Sequence, residues 1–343
     1  MECLLSRLQL HACAYVHTLT LYGDTHKPPS PGNCLVTTSM HRLLAASALA
    51  LGLASPSFAQ QGALELFVGE TLFVGGTRAA LTWLHVEGGD LARDGNSVAN
   101  PDGIERDREV VVASWATNLQ RGLDFALVLP WISNDATFNG PSAALSTDDG
   151  GVGDLAFVLK KRLHNDVWNR GAWNVSVLGG VETPTGETSE RTNGELNPPS
   201  LQPGSGSWDP FLGVASTWEQ GRFRFDSQVF WQTFGEGDQE FQSGDVISVE
   251  LDVGYRALMT RYPGPTVSTK AGVRWRHQER GEQSGLSLAN SGRDEISLIG
   301  AVGWHPVPDW DVSFKLEVPI HQDLNGTQLE TDYRALFGIG LRF

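Results

Sequence analysis

The chain has 343 residues, with 25 Lys/Arg against 40 Asp/Glu and a formal net charge of −15. A chain this acidic is a poor partner for nucleic acid, whose phosphates require basic surfaces. All three cysteines (Cys3, Cys13, Cys34) lie in the first 39 residues, so the remainder has no disulfide framework, thiol nucleophile or Cys-based metal site.

Residues 40–59 read as a secretory signal: a short basic start (His41, Arg42), an apolar run over 43–54, then Ser57, Phe58 and Ala59 as a small-x-small cleavage site. The cleavage site places the mature start near Gln60, and the run, about half the ~20 residues a membrane-spanning helix needs, argues against an anchor. Residues 1–39 share neither the composition nor the patterning of the rest of the chain and read as an upstream extension outside the native protein, with a genuine N-terminal extension as the rival reading. Without residues 1–59, 22 Lys/Arg face 38 Asp/Glu. Residues 60–75, with Leu64, Leu66, Phe67, Val68, Leu72, Phe73 and Val74, form an N-terminal arm, a plug-like segment or extra strand pairing; the pattern does not choose.

From residue 76 onward, alternation of apolar and polar residues marks twelve segments: 76–87, 108–119, 122–133, 152–163, 172–183, 207–218, 222–234, 246–258, 266–278, 293–305, 309–320 and 331–343. Each is about as long as a tilted transmembrane strand. In the third, Leu123, Phe125, Leu127, Leu129 and Trp131 form the apolar set. The eighth sets Ile247, Val249, Leu251, Val253 and Tyr255 against Ser248, Glu250, Asp252 and Arg256. In the eleventh, Trp310, Val312, Phe314, Leu316, Val318 and Ile320 oppose Asp311, Ser313, Lys315, Glu317 and His321. The twelfth is the most regular, with Tyr333, Ala335, Phe337, Ile339, Leu341 and Phe343 on one face; Leu336 alone interrupts the polar face. Successive side chains of a strand point to opposite faces. An aromatic-rich face, a charged face and a final Phe suit the closing strand of an outer-membrane barrel.

The connections alternate between short links and long ones at 88–107, 134–151, 184–206, 235–245, 279–292 and 321–330. Short periplasmic turns and long external loops are the expected asymmetry of such a barrel. The long loops hold nearly all the surplus negative charge. Tryptophans give an independent check: Trp131, Trp208, Trp231 and Trp275 fall at outer strand ends, and Trp168, Trp173, Trp218, Trp304 and Trp310 at or beside inner ends, where aromatic girdles belong.

Three short motifs carry a resemblance: Gly151-Val-Gly-Asp-Leu155 opening the fourth segment, Thr183-Pro-Thr-Gly-Glu187 closing the fifth, and Gly204-Ser-Gly-Ser-Trp-Asp209 leading into the sixth. With the terminal aromatic, the chain resembles the outer-membrane transporters named for the meta-pathway of phenol degradation. That resemblance implies a pore-like protein and leaves the solute open. Physically, the glycines let the backbone turn at strand ends and Pro184 favours an edge, so the motifs are expected to shape loops.

With apolar faces toward lipid, the lumen receives Arg222, Arg224, Asp226, Glu250, Asp252, Arg256, Lys270, Arg274, Arg276, Asp311, Lys315, Glu317, Arg334 and Arg342. Rings of charged side chains set pore selectivity, and opposite charges, such as Asp226 and Asp252 beside Arg256 or Arg274, can instead pair and brace the interior. Twelve strands lie between side-chain-filled barrels of about eight and open porins of about sixteen, so a narrow lumen is expected.

Enzymatic chemistry has little support. Nucleophilic catalysis needs a Ser in reach of an oriented His, yet no His-x-Ser occurs after residue 59, and His85, His164, His277, His305 and His321 sit on separate segments. Metal chemistry lacks Cys, a His-Glu-x-x-His pair and a calcium-loop spacing; the acidic loop pairs, such as Asp148 and Asp149, read as solvated.

The sequence therefore implies an all-β, twelve-stranded antiparallel transmembrane barrel over 76–343 in a Gram-negative outer membrane. Its expected work is passive diffusion of small solutes, aromatic or hydrophobic compounds among them, with no cofactor, metal or catalytic residue. A structural or adhesive barrel with a closed lumen is the competing class, ahead of an outer-membrane lipid hydrolase. Expected partners are outer-membrane lipids and lipopolysaccharide, a small-molecule solute, and the barrel assembly machinery through the strand ending at Phe343.

Overall fold

The structure is a computed structural model that describes residues 67–140 and 143–343. The signal-like stretch 40–59, the three cysteines and residues 60–66 lie outside the described residues. Twelve long strands form the architecture: β1 (Thr77–Gly88), β2 (Glu105–Gln120), β3 (Leu123–Gly140), β4 (Ala156–Trp168), β5 (Gly171–Glu182), β6 (Asp209–Gln220), β7 (Phe223–Gln232), β8 (Val246–Met259), β9 (Thr266–Gln278), β10 (Arg293–His305), β11 (Trp310–Leu324) and β12 (Tyr333–Arg342). They coincide with the twelve alternating segments. Each pairs antiparallel with the next. The ring closes where β12 returns to β1, with Ala79 opposite Leu341 and Trp83 opposite Phe337. Closure satisfies the backbone groups that hydrocarbon cannot, which is why strands cross membranes only as complete barrels.

Alternation sorts side chains as the pattern requires. On β12, Phe337 and Ile339 are exposed outward while Arg334 and Leu336 are buried inside. On β8, Leu251, Val253 and Tyr255 face out, and Ser248 and Glu250 face in. The tryptophans at the outer ends (Trp131, Trp208, Trp231, Trp275) and inner ends (Trp173, Trp218, Trp304, Trp310) are all exposed on the outer surface. The short turns carry glycines with positive φ where the chain reverses, Gly122 (70°) between β2 and β3 and Gly221 (61°) between β6 and β7.

The long connections differ from simple loops. Within 134–151, which the sequence marks as a loop, two strands pair: β3 runs on to Gly140 and the strand Ala143–Val152 pairs back on it, Trp131 opposite Val152. Asn134 and Asp135 read as loop residues, but a strand that has risen past the Trp131 girdle needs no apolar outer face. The chain then leaves the sheet at 153–155 and re-enters it as β4. Elsewhere, Leu91–Arg93 pairs with both Asn96–Val98 and Thr327–Leu329, over a small core of Leu91, Ile104 and Leu329. Glu282–Gln283 likewise pairs with both Phe241–Gln242 and Leu286–Ser287.

Candidate functional site

The barrel interior has two unlike arcs. Along β1 to β7 it is lined by an apolar cluster that includes Leu84, Val110, Val112, Ala126, Val128, Ile132, Ala156, Val158, Leu178, Phe211 and Phe230, joined by Leu336 of β12. The residue that interrupts the polar face of the last strand is thus part of this surface. The sequence signal for the arc is the loss of alternation contrast in runs such as Val110-Val-Val-Ala113 and Ala126-Leu-Val-Leu129, where both faces are apolar.

Along β8 to β12 the interior is ionic. Lys315 and Arg274 both donate to Glu250, the former at 2.9 Å. Arg274 continues to Glu317 at 2.7 Å, Glu317 to Arg334 at 3.0 Å, and Arg334 to both carboxylate oxygens of Glu295. This alternating chain of three cations and three anions links side chains of β8 to β12, and every member is buried. Arg78 of β1 pairs with Asp311 of β11 at 2.9 Å. Buried ions persist only when their partners replace lost water, and the cross-strand registry supplies those partners.

Nearer the periplasmic end, Asp226 holds Arg224 at 2.8 Å and Lys270 at 2.6 Å, and Arg256 holds Glu219 at 2.6 Å. The cross-strand bracing expected for Asp226 is present, but its partner across the strands is Lys270, because barrel shear offsets strand neighbours from simple sequence levels, and Arg224 joins it from the same face of β7. Asp252 is half-buried, and its Oδ1 has no hydrogen-bond partner among the described residues. Of the other anticipated lumen residues, Arg276 is buried and Arg342 half-buried. Arg222 is exposed on the turn before β7 and donates to the Arg256 and Ala257 carbonyls. Sequence reasoning passed over Arg78, Arg293 and Glu295, although the last two share one face of β10 opposite Ile296 and Leu298.

An arm made of the residues before β1 lies inside the barrel. Leu72 N–H donates to Asp124 Oδ2 (2.9 Å), Gly69 N–H to Thr217 Oγ1 (3.0 Å), and Ser176 Oγ to the Gly69 carbonyl (2.6 Å). Glu70 takes a two-pronged contact from Arg224, at 2.7 and 2.9 Å. Phe67 meets Phe230 edge-on, ring centroids 5.5 Å apart, while Leu72 packs against the apolar cluster. Only glycine fits at position 69, because a Cβ there would collide with backbone atoms of Asn174 and Thr217. The arm therefore rises along the apolar arc, held by side chains and apolar contact with no strand ladder.

The opposite mouth holds a second inward element. In the β5–β6 connection, the turn Pro199–Leu201 dips against β2 and β3. Arg106 and Arg108 donate to the Ser200 carbonyl, the latter at 2.9 Å, and Asn134 Nδ2 donates to the Leu201 carbonyl at 3.0 Å. A cavity of about 50 Å³ remains beside it, lined in part by Arg108, Ile132, Pro203 and Phe234, room for a few waters at most. The three short motifs meet at the base of this connection. Asp154 accepts N–H bonds from Thr185 (3.1 Å), Gly186 (2.8 Å) and Ser205 (2.7 Å). A Cβ on Gly186 or Gly204 would strike the other residue's backbone, so the pair lets two chain segments pass in contact.

A closed ring of twelve antiparallel strands, lipid-facing apolar residues and paired aromatic girdles define an integral β-barrel of the bacterial outer membrane. The chain matches the family described as "Putative MetA-pathway of phenol degradation" over residues 87–264, and it belongs to that family. Among solved structures, an outer membrane channel from Pseudomonas putida F1 superposes with TM-score 0.60 at 16% identity, covering 80% of this chain and 98% of that one. That likeness establishes the shared fold. Looser likenesses, which bear on nothing further, are the beta domain of the Bordetella autotransporter BrkA (TM-score 0.41, 8% identity, 78% and 100% coverage) and the translocator domain of NalP from Neisseria meningitidis (0.39, 10%, 90% and 98%). No curated protein sequence matches the chain.

Proposed function

We propose that this barrel is a passive channel for small amphiphilic solutes, and that residues 67–72 are its movable constriction. The observation that carries the reading is the way the arm is held: hydrogen bonds to Asp124, Ser176 and Thr217, one ion pair to Arg224 and one aromatic contact to Phe230. A segment outside the ladder can shift without opening the barrel wall. Displacing it uncovers an apolar arc facing an ionic one, a path that suits a solute with one greasy and one polar side. The family and the Pseudomonas putida channel support the same reading. The solute crosses unchanged, driven by its gradient, with lipid around the barrel, lipopolysaccharide beside the acidic loops and the assembly machinery engaging the strand that ends at Phe343.

Planar-bilayer recording tests it. The full-length barrel should give small current steps, and deletion of residues 61–72 should enlarge them several-fold. A barrel filled at both ends, by the arm and by Pro199–Leu201, also fits a structural element with a permanently closed lumen. Silence from both the intact and the deleted protein, each correctly inserted, would establish that second reading.

A further inference from the structure

The ionic arc is neutral along its alternating chain, yet two arginines beside it are left over. Arg276 on β9 is 7% exposed, and its guanidinium Nε and Nη2 have no hydrogen-bond partner among the described residues. The carboxylate directly across the ladder, Glu295, is already taken at both oxygens by Arg334 and receives Ser297 Oγ as well. Arg293, two residues from Glu295 on the same face, is 4% exposed, and its guanidinium bonds a neutral acceptor, Gln328 Oε1 at 3.2 Å. Buried guanidinium groups with no carboxylate partner are costly, and their planar forks match a carboxylate.

The neighbouring strands indicate the rest of the ligand. Ser248, small and fully buried, sits across from Arg276 on β8, and Phe230 sits across from Ser248 on β7. Two strand spacings, about 10 Å, thus separate the unpaired cation from the ring that anchors Phe67. We infer that Arg276 and Arg293 form an anion subsite for the carboxylate of a small amphiphilic organic acid, whose hydrocarbon body points across Ser248 toward the apolar arc. The inference deepens the channel reading and rests on it for physiological meaning, although binding itself is independent of conduction.

The test is calorimetric titration of the detergent-folded, full-length barrel with benzoate as carboxylate probe and benzyl alcohol as its uncharged counterpart. The intact protein should bind benzoate at least tenfold more tightly than benzyl alcohol, and Arg276→Gln should remove that preference. Arg293→Gln should weaken it. Because a buried arginine can also support folding, Arg276→Lys keeps the charge while losing the fork; with folding checked by heat-modifiable gel mobility, it should retain weaker benzoate binding. Equal affinity for the two probes in the intact protein, or benzoate binding unchanged in Arg276→Gln, overturns the subsite. A silent bilayer with intact benzoate binding would instead overturn the channel and leave the subsite standing.

Discussion

The two arcs of the interior solve the problem of filling a barrel in opposite ways. The alternating chain of the ionic arc is self-sufficient: Lys315, Glu250, Arg274, Glu317, Arg334 and Glu295 satisfy one another across strands, and these six need nothing from the lumen. The apolar arc is not, since Val110, Val128, Leu178 and Phe230 gain from covering, and the arm residues Phe67 and Leu72 supply it. Hydrophobic burial is non-directional, so the covering segment needs no fixed registry. One arc therefore stiffens the wall while the other holds a removable part.

The strongest challenge to this contrast is Glu317→Ala, which takes the shared carboxylate from Arg274 and Arg334 and leaves three buried cations against two anions in the chain. It should cost about 3–5 kcal/mol, read as a lower urea midpoint for unfolding from lipid vesicles. Amide hydrogen exchange at residues 67–72 should remain as in the parent; faster exchange there would show that the arcs are coupled. Phe230→Ala should cost about 3 kcal/mol from its cavity and reverse the pattern, speeding exchange in the arm. Protection of the arm unchanged by that substitution would break the account of what holds it.

Smaller effects sharpen the picture. Glu70→Gln removes one ion pair of a partly exposed carboxylate, a contribution of about 1 kcal/mol or less. It should make the arm more sensitive to limited proteolysis without moving the unfolding midpoint. The smallest effect concerns the outer loops, where burial and then the facing Asp90 raise the Glu330 carboxyl above its ordinary range, as burial, Asp90 and Glu87 do for Asp332. An acid with a raised folded value binds more protons in the folded state, so the loop is steadier at low pH and loosens as pH rises through that value. Exchange of the Glu330 and Asp332 amides, which bond the Asp90 and Glu87 carbonyls, should be slower near pH 4 than near pH 7 after correction for intrinsic rates. Glu330→Gln should flatten that dependence.

The strands, their faces and the ionic arc were legible because period-two alternation between lipid and lumen leaves a strong mark, as on β8 and β11. The apolar arc was harder to read because on β2, β3 and β4 both faces are hydrophobic and the contrast disappears; Leu336 was its single visible trace on a regular strand. Pairing partners were also hidden. Asp226 finds Lys270 through β7–β8–β9 registry, which depends on barrel shear and not on any residue nearby in the chain. The strand pairing within 134–151 escaped notice for a third reason, since outside the bilayer a strand loses its greasy face and resembles a loop.

The Asp154 staple has a practical consequence. It gathers both ends of the β5–β6 connection, with Glu187 N–H on the Val152 carbonyl and Gly204 N–H on the Glu187 carbonyl. Beyond it, the small hairpin Arg191–Thr192 and Glu195–Leu196 turns at Asn193 and Gly194. A foreign epitope spliced at that tip is insulated from the barrel by the cinched base, which makes the position a natural graft point for displaying peptides on a bacterial surface.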